Sequence, residues 1–482
     1  MGETSQEKFK FLGIFSTKQI IFLIAGILAA IIIYQLPAFK VGDAEPLSVD
    51  GMHTLAFFAM AILWWIGGVF RDFVTAFAML TCLIIFGVQP LGTVMSAWSG
   101  GVIWIMIPAM MIGIAMSKTG LIKRIVLKVM TWFKPTFKGQ TLAIMIAGAV
   151  LNPMIPVATA KVCILGPLEN ELAKSLGYDH KSKASAGLYI AGWMTCGVIA
   201  MMALTGSVFP VTSVGLMPEG FKEHWTWLNY FLAAAPWGIL MLVFTYFVLR
   251  FAYAPKNEQP IAREVIIDQH KALGKMSSHE KITIIVVIAA LVLWVTESVH
   301  GIPSTAVALA VMVVFFALRI LDLDDFRGKL AWDAVTFVAA STGLAAVFTA
   351  VGFNTWLNAS FGAMLSPLFN NVFLLIIVLS IAIAVIRLFF VSVTALLTIT
   401  VVACSPLAIA AGMNPMVPAL IVMFIIQAYN MLYMNGTNIA SYASSEELGD
   451  YKYIGRYSIA YTVTSIIAML ISAPIWMALG LV

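Results

Sequence analysis

Apolar residues run through this chain in long unbroken blocks, without the alternation or stripes of water-soluble elements. Blocks such as "IIFLIAGILAAIIIY" (20–34) and "ITIIVVIAALVLWV" (282–295) recur along it. They reach or approach the roughly 20 residues that a helix needs to cross a bilayer. The pattern predicts spans at 19–36, 52–70, 73–89, 101–117, 184–206, 226–250, 282–299, 303–319, 333–352, 415–434 and 457–480. Two further apolar regions, 139–177 and 370–412, are too long for one span and are interrupted in the middle. Each is expected to be a re-entrant hairpin, entering and leaving on one side. The expected fold is therefore an all-α polytopic membrane protein of about 11 transmembrane helices and two hairpins.

Composition excludes the soluble alternative. Of 482 residues, 61% are hydrophobic and 11% charged, with a mean hydropathy of +0.97, whereas soluble domains carry roughly 25% charged residues. The four cysteines (Cys82, Cys163, Cys196, Cys404) lie in apolar segments without pairing or metal spacing, as small buried hydrophobes do. The first apolar run is long for a signal-peptide core and lacks an evident cleavage site, so it reads as the first span.

Charge sets the expected orientation. With both hairpins included, 24 of the 28 basic residues fall on one side of the membrane. Two (Lys40, Lys222) fall on the other side, and two (Lys161, Arg387) lie at membrane depth. By the positive-inside rule the N-terminus is cytoplasmic and the C-terminus extracellular. Without the hairpins the alternation fails. The net charge of +5 adds nothing beyond this.

The chain also repeats itself. "LWWIGGVFRDFVTAFAM" (63–79) parallels "LWVTESVHGIPSTAVAL" (293–309) at a shift of 230, which pairs Trp64 with Trp294 and Thr75-Ala76 with Thr305-Ala306. "SAWSG" (96–100) parallels "LAWDA" (330–334), and "VATA" (157–160) parallels "SVTA" (392–395). Pro167-Leu168 parallels Pro406-Leu407, and "TGSVFP" (205–210) parallels "NGTNIA" (435–440). Each copy holds five spans and a hairpin. An odd number of spans turns the second copy upside down, as in many secondary transporters with substrate at the midplane. The expected division is 1–138 (first span and the spans ahead of the first hairpin), 139–254 (first hairpin and the spans after it) and 255–281 (charged cytoplasmic linker with a short amphipathic helix). The second copy follows as 282–360 (the spans ahead of the second hairpin) and 361–482 (second hairpin and the spans after it).

The breaks carry the candidate chemistry. Broken helices inside a membrane leave backbone groups that protein, water or ligand must satisfy. The tips place Val157, Ala158 and Thr159, and Ser392, Val393 and Thr394, just ahead of helix N-termini, which attract anions. Gly206-Ser207 and Gly436-Thr437 supply two more breaks, each with a glycine expected to permit close approach. Two opposed sets of N-termini suit a molecule with a carboxylate at each end. Lys161 and Arg387 complete the candidate site, because ionisable groups at membrane depth default to function. The plainer alternatives are a snorkelling lysine and an arginine capping carbonyls. Glu297 and His300 read as interfacial, and Glu169 and Glu171 as a solvated edge.

With the tips located, the sequence resembles the divalent anion/sodium symporter family, which includes the INDY dicarboxylate transporters, over nearly its whole length. That family carries Ser-Asn-Thr at each hairpin tip. Here the tips read Val157-Ala158-Thr159 and Ser392-Val393-Thr394, so both asparagines are missing. "PVATAK" and "RLFFVSVTA" resemble the exchanger branch, with its citrate/succinate and tartrate/succinate antiporters and plastid 2-oxoglutarate/malate translocators. The resemblance implies an elevator-type homodimer that exchanges succinate, malate, 2-oxoglutarate or citrate, with 1–138 and 282–360 holding the scaffold halves and 139–254 and 361–482 the transport halves. Lys161 and Arg387 then stand in for sodium, with no cofactor, metal or nucleic acid involved. The alternatives are a sodium-coupled symporter of the same fold and, in another class, an anion channel. Nothing resembles an enzyme's nucleophile–base pair. The expected location is a plasma (cytoplasmic) membrane.

Overall fold

The computed structural model describes residues 10–11, 14–38, 45–256 and 263–482. Lys8 and Lys40 lie outside them. Apart from a two-residue antiparallel pairing of Lys10–Phe11 with Phe15–Ser16, the described residues form helices and connections. Helix α1 (Thr17–Gln35) stands ahead of the repeats, opened by a capping box between Ser16 and Gln19, and packs on α2 (Val49–Gly67). The first repeat continues with α3 (Asp72–Ile85), a single turn α4 (Leu91–Val94), α5 (Gly101–Lys118) and α6 (Leu121–Met130). Its hairpin is α7 (Phe137–Leu151) and α8 (Ala158–Ser175). After it come α9 (Lys183–Gly192), which widens into a π-helical stretch over Trp193–Val198, then α10 (Val208–Gly215) and α11 (Trp227–Val248).

The linker contributes α12 (Arg263–Ala272), the short helix expected between the copies; residues 257–262 lie outside the described ones. The second repeat opens with another capping box, Ser277 with Glu280, on α13 (Ser278–Val295). It proceeds through α14 (Glu297–His300), α15 (Ser304–Ala317), α16 (Trp332–Ala350) and α17 (Phe353–Phe369). Its hairpin is α18 (Val372–Ile386) and α19 (Val393–Ala410). It closes with α20 (Met416–Ile425), α21 (Gly436–Ser444) and α22 (Tyr451–Ala478).

Each predicted span coincides with a helix, and both hairpins break where expected, between Leu151 and Ala158 and between Ile386 and Val393. Among the described residues nine helices are long and apolar enough to cross a membrane, the hairpin arm α19 among them. The spans α3, α15 and α20 are shorter apolar helices. Among the described residues, four helices of eight or more residues besides α12 lie outside the predicted spans and hairpins, namely α6, α10, α17 and α21. The run Lys118 to Lys138, read as a loop, contains α6. Its Leu121, Ile122, Val126, Leu127 and Met130 are buried while Lys123 and Lys128 face outward. In the second copy α17 takes the same position ahead of the hairpin, bent 110° from α18.

The repeat is visible in the packing. Helix α3 lies on α2 and α16, and its counterpart α15 lies on α13 and α5. The indoles correct the alignment by one residue. Trp65 donates to the carbonyl of Asp72, the first residue of α3 (3.2 Å), and Trp294 donates to that of Ser304, the first residue of α15 (3.1 Å). Trp294 thus matches Trp65; Trp64 bonds instead to Leu23 of α1. The connection after α13, which holds α14, is three residues longer, with ten residues from Trp294 to Ser304 against seven from Trp65 to Asp72, so no single shift fits both sides of it.

At the end of α5, Lys118 bonds Asp322 and Asp325 (2.6 Å each), and Lys329 bonds Asp325 (2.8 Å). Burial alone would raise the Asp325 carboxyl, but the bonds from Lys118 and Lys329 outweigh it and hold it at about 2, below its ordinary 3.8. A carboxyl depressed on folding stabilises fully above its unfolded value and less as pH falls through its folded one. Asp325→Asn is therefore expected to lower the melting temperature of detergent-purified protein at pH 5–7. The gap should close as both proteins are taken from about pH 4 towards pH 2. A gap that stays constant with pH would contradict this.

Candidate functional site

Four interruptions meet in this fold, and their joints alternate in kind. At the first tip the chain leaves helix after Leu151, turns once through Asn152–Met154, and restarts at Ala158 with Val157 as the N-cap. Pro153 and Pro156 supply no amide hydrogens, which suits a stretch that must leave the helical ladder. Lys161, in the first turn of α8, is fully buried. Its ammonium donates to Asn152 Oδ1 (3.0 Å) and to the carbonyl of Gly206 (2.9 Å). Thr205 Oγ1 donates to the Pro153 carbonyl (2.6 Å) and accepts from Trp227 Nε1 (3.0 Å). The first tip is thereby tied to the break at 203–207 ahead of α10. Gly206 is obligatory there, since a Cβ would lie 2.0 Å from the Ala200 carbonyl oxygen.

The second tip is built the same way with a larger cation. Arg387, also fully buried, caps the end of α18. One guanidinium nitrogen donates to the carbonyls of Phe390 and Val391, and the other to those of Ala428 and Met434. This joins the tip to the break between α20 and α21. Among the described residues neither Lys161 nor Arg387 forms an ion pair with a carboxylate, so each is a buried charge held by oxygen dipoles.

The remaining joints are helix against helix. Helix α8 packs on α21, with Cys163 Sγ against the Ala440 carbonyl and Asn170 Nδ2 donating to Glu446 Oε2, at sequence offsets of 277 and 276. Gly166 makes room for Ser444 in the same register: a Cβ there would lie 2.4 Å from its hydroxyl. A constant offset means parallel helices, which brings Thr159 level with Gly436. Thr159 and Gly436 are both exposed and Thr437 is half-buried. Gly436 differs from the expectation of close approach, because a Cβ there would meet open space. In the other half α10 packs on α19, and Val208 and Thr394, at their N-termini, line one cavity of about 400 Å³.

The twelve candidate residues therefore fall into two half-sites. One holds Val157, Ala158, Thr159, Gly436 and Thr437, and the other Ser207, Ser392, Val393 and Thr394. Gly206, Lys161 and Arg387 sit at the joints. Ser207 is buried as the N-cap of α10, and its hydroxyl finds no partner among the described residues. Ser392 accepts from the Ala395 amide (3.1 Å), capping α19. Both half-sites offer helix N-termini in pairs, an arrangement that attracts anionic oxygens.

Sequence reasoning passed over three residues. Asn152 presents Lys161 with its acceptor while its amide donates to the Thr195 carbonyl (2.9 Å). Asn435 caps α21 through the Asn438 amide (3.1 Å) and bonds Gln427 (2.9 Å). Asp72, at the start of α3, accepts the hydroxyl protons of both Ser392 (2.6 Å) and Thr394 (2.9 Å). Glu169 departs from its reading as a solvated edge. It is 2% exposed, because α8 lies between α9 and α21 there and turns that side chain against Gly192. Glu171 is exposed, as expected.

The family described as "Sodium:sulfate symporter transmembrane region" matches residues 17–482. The chain is 28% identical over 342 residues to an L-tartrate/succinate antiporter of Shigella sonnei, covering 68% of this chain and 67% of that one. It is 26% identical over 301 residues to the chloroplastic dicarboxylate transporter 2.1 of Arabidopsis thaliana, covering 61% and 54%. Among solved structures it resembles the YdaH transporter of Alcanivorax borkumensis, with a TM-score of 0.52, 12% identity and coverage of 96% and 99%. That last likeness speaks to the fold alone.

Proposed function

Since the chain belongs to the sodium:sulfate symporter family and is a multi-pass membrane transporter rather than an enzyme, we propose that it exchanges one di- or tricarboxylate for another without sodium. The observation that carries this reading is the pairing of helix N-termini in two half-sites, joined by two buried cations. A dianion such as succinate, malate or 2-oxoglutarate has one carboxylate for each pair, and citrate a third. The relatives named for tartrate, succinate and dicarboxylates support the same substrate class.

Sodium-independence follows from what the cations touch. Each is held by oxygens drawn from a tip and from the break of the same repeat. A bound sodium ion would take such carbonyl and amide oxygens as ligands, so a tethered ammonium or guanidinium supplies the same charge permanently. A site whose charge cannot leave resists crossing the membrane unloaded, because buried charges lose hydration without a partner. Strict exchange is the consequence.

The rest of the proposal concerns motion and placement. The hairpins, with α9–α11 and α20–α22, move as a unit against a scaffold of α1–α5 and α13–α16, in a homodimer of the plasma membrane. The basic loops face the cytoplasm, with the N-terminus inside and the C-terminus outside. Proteoliposomes test the function directly. Labelled succinate should enter vesicles preloaded with unlabelled succinate, equally with and without sodium, and should not enter empty ones. Sodium-driven accumulation into empty vesicles would point to the symporter and overturn the exchanger.

A further inference from the structure

The second tip already holds a carboxylate, and it belongs to the protein. Asp72 Oδ2 accepts from Ser392 Oγ at 2.6 Å and from Thr394 Oγ1 at 2.9 Å, bonds that run between α3 and the first turn of α19. Asp72 is well fixed on its own side. Its carbonyl receives the indole of buried Trp65 (3.2 Å), and its charge complements the N-terminus of α3. It also lines the 400 Å³ cavity at this tip, together with Arg71, Asp333, Val208 and Thr394.

A hydroxyl has one proton to donate. While Ser392 and Thr394 donate to Asp72, neither can donate to a second carboxylate. We propose that Asp72 is a resident competitor for the substrate's carboxylate. It occupies the second half-site, tethers the hairpin to α3, and is displaced when substrate binds. The inference rests on the carboxylate-exchange reading above and goes beyond it, since the fixed cations alone give no reason for a scaffold carboxylate at the tip. Displacement couples loading to movement. With Asp72 bound, α19 is held to α3; with substrate bound, both hydroxyls turn to the ligand and the tether is released. Asp72 would thus lower apparent affinity and suppress movement of the unloaded carrier, which are two separable readouts.

The test compares wild type, Asp72→Ala and Asp72→Asn in full-length protein. Succinate binding is measured by calorimetry in detergent, and transport by labelled uptake into preloaded and empty vesicles. Charge-assisted hydrogen bonds are the stronger kind, so losing the competitor should tighten succinate binding by about tenfold or more in Asp72→Ala. Uptake into empty vesicles should also rise above the wild type's there, while staying below uptake into preloaded vesicles because the fixed cations remain. Asp72→Asn keeps an acceptor without its charge and should shift both readouts in the same direction by less, and it serves if the alanine variant does not fold. Wild-type affinity and no uptake into empty vesicles above the wild type's in the variants would overturn the competitor while leaving carboxylate exchange standing. If wild type neither binds nor exchanges any dicarboxylate, the exchange reading fails and the competitor falls with it.

Discussion

Lys161→Ala is expected to abolish most succinate exchange while leaving a protein that still folds and elutes as wild type does. The ammonium satisfies Asn152 Oδ1 and the Gly206 carbonyl in a fully buried place. A buried acceptor left without a partner costs about 1–3 kcal/mol. For two unit charges about 8 Å apart at an effective dielectric constant of about 20, the attraction lost is about 2 kcal/mol. Together these imply a fall in exchange of about a hundredfold to several thousandfold at about 1.4 kcal/mol per decade. A helix-packing role would give a similar loss, so a second measurement is needed. If the charge is what matters, ammonium or sodium ions added to the variant should restore part of the activity, and the wild type should ignore them. A variant with wild-type exchange, or one that no small cation improves, would remove Lys161 from the role of a tethered sodium.

Much of this arrangement was legible in the chain. Pro153 and Pro156 inside an apolar block announced the first tip, because proline supplies no amide hydrogen to the helical ladder, and "TGS" and "NGT" announced the two breaks because they recur at one shift of 230. The inverted copies were legible because six short matches kept one order. Other features lacked a local signal. Helix α6 has a clear amphipathic face, yet its lysines made it read as a basic loop. Helix α17 is polar enough to pass for a connection. Asp72 looked like an ordinary acidic residue at a helix start, since its partners Ser392 and Thr394 lie 320 and 322 residues away. The same limit applied to Lys161. No local pattern shows that its amine reaches Asn152, nine residues earlier, and Gly206 beyond the next helix.

Arg387→Lys separates charge from geometry at the other joint, and there geometry should dominate. The guanidinium presents its donors in a rigid fork. Here the two arms serve different segments, one reaching Phe390 and Val391 at the tip and the other Ala428 and Met434 in the break. A lysine keeps the charge, but its single nitrogen cannot span both groups of carbonyls. The tip and the break would then be free to separate, and the second half-site depends on the first turn of α19 staying where Arg387 holds its approach. Arg387→Lys is expected to lose at least about tenfold in exchange and to melt several degrees lower, as several charge-assisted bonds worth about 1.5–3 kcal/mol each are broken. Arg387→Gln removes the charge as well, so none of the four carbonyls keeps a charge-assisted bond. Its exchange should fall to background, with the larger drop in melting temperature. The order wild type, lysine, glutamine should hold in both assays. If the lysine variant matches wild type in both, the forked bridge between tip and break is not what Arg387 provides, and its charge alone would account for its place in the membrane.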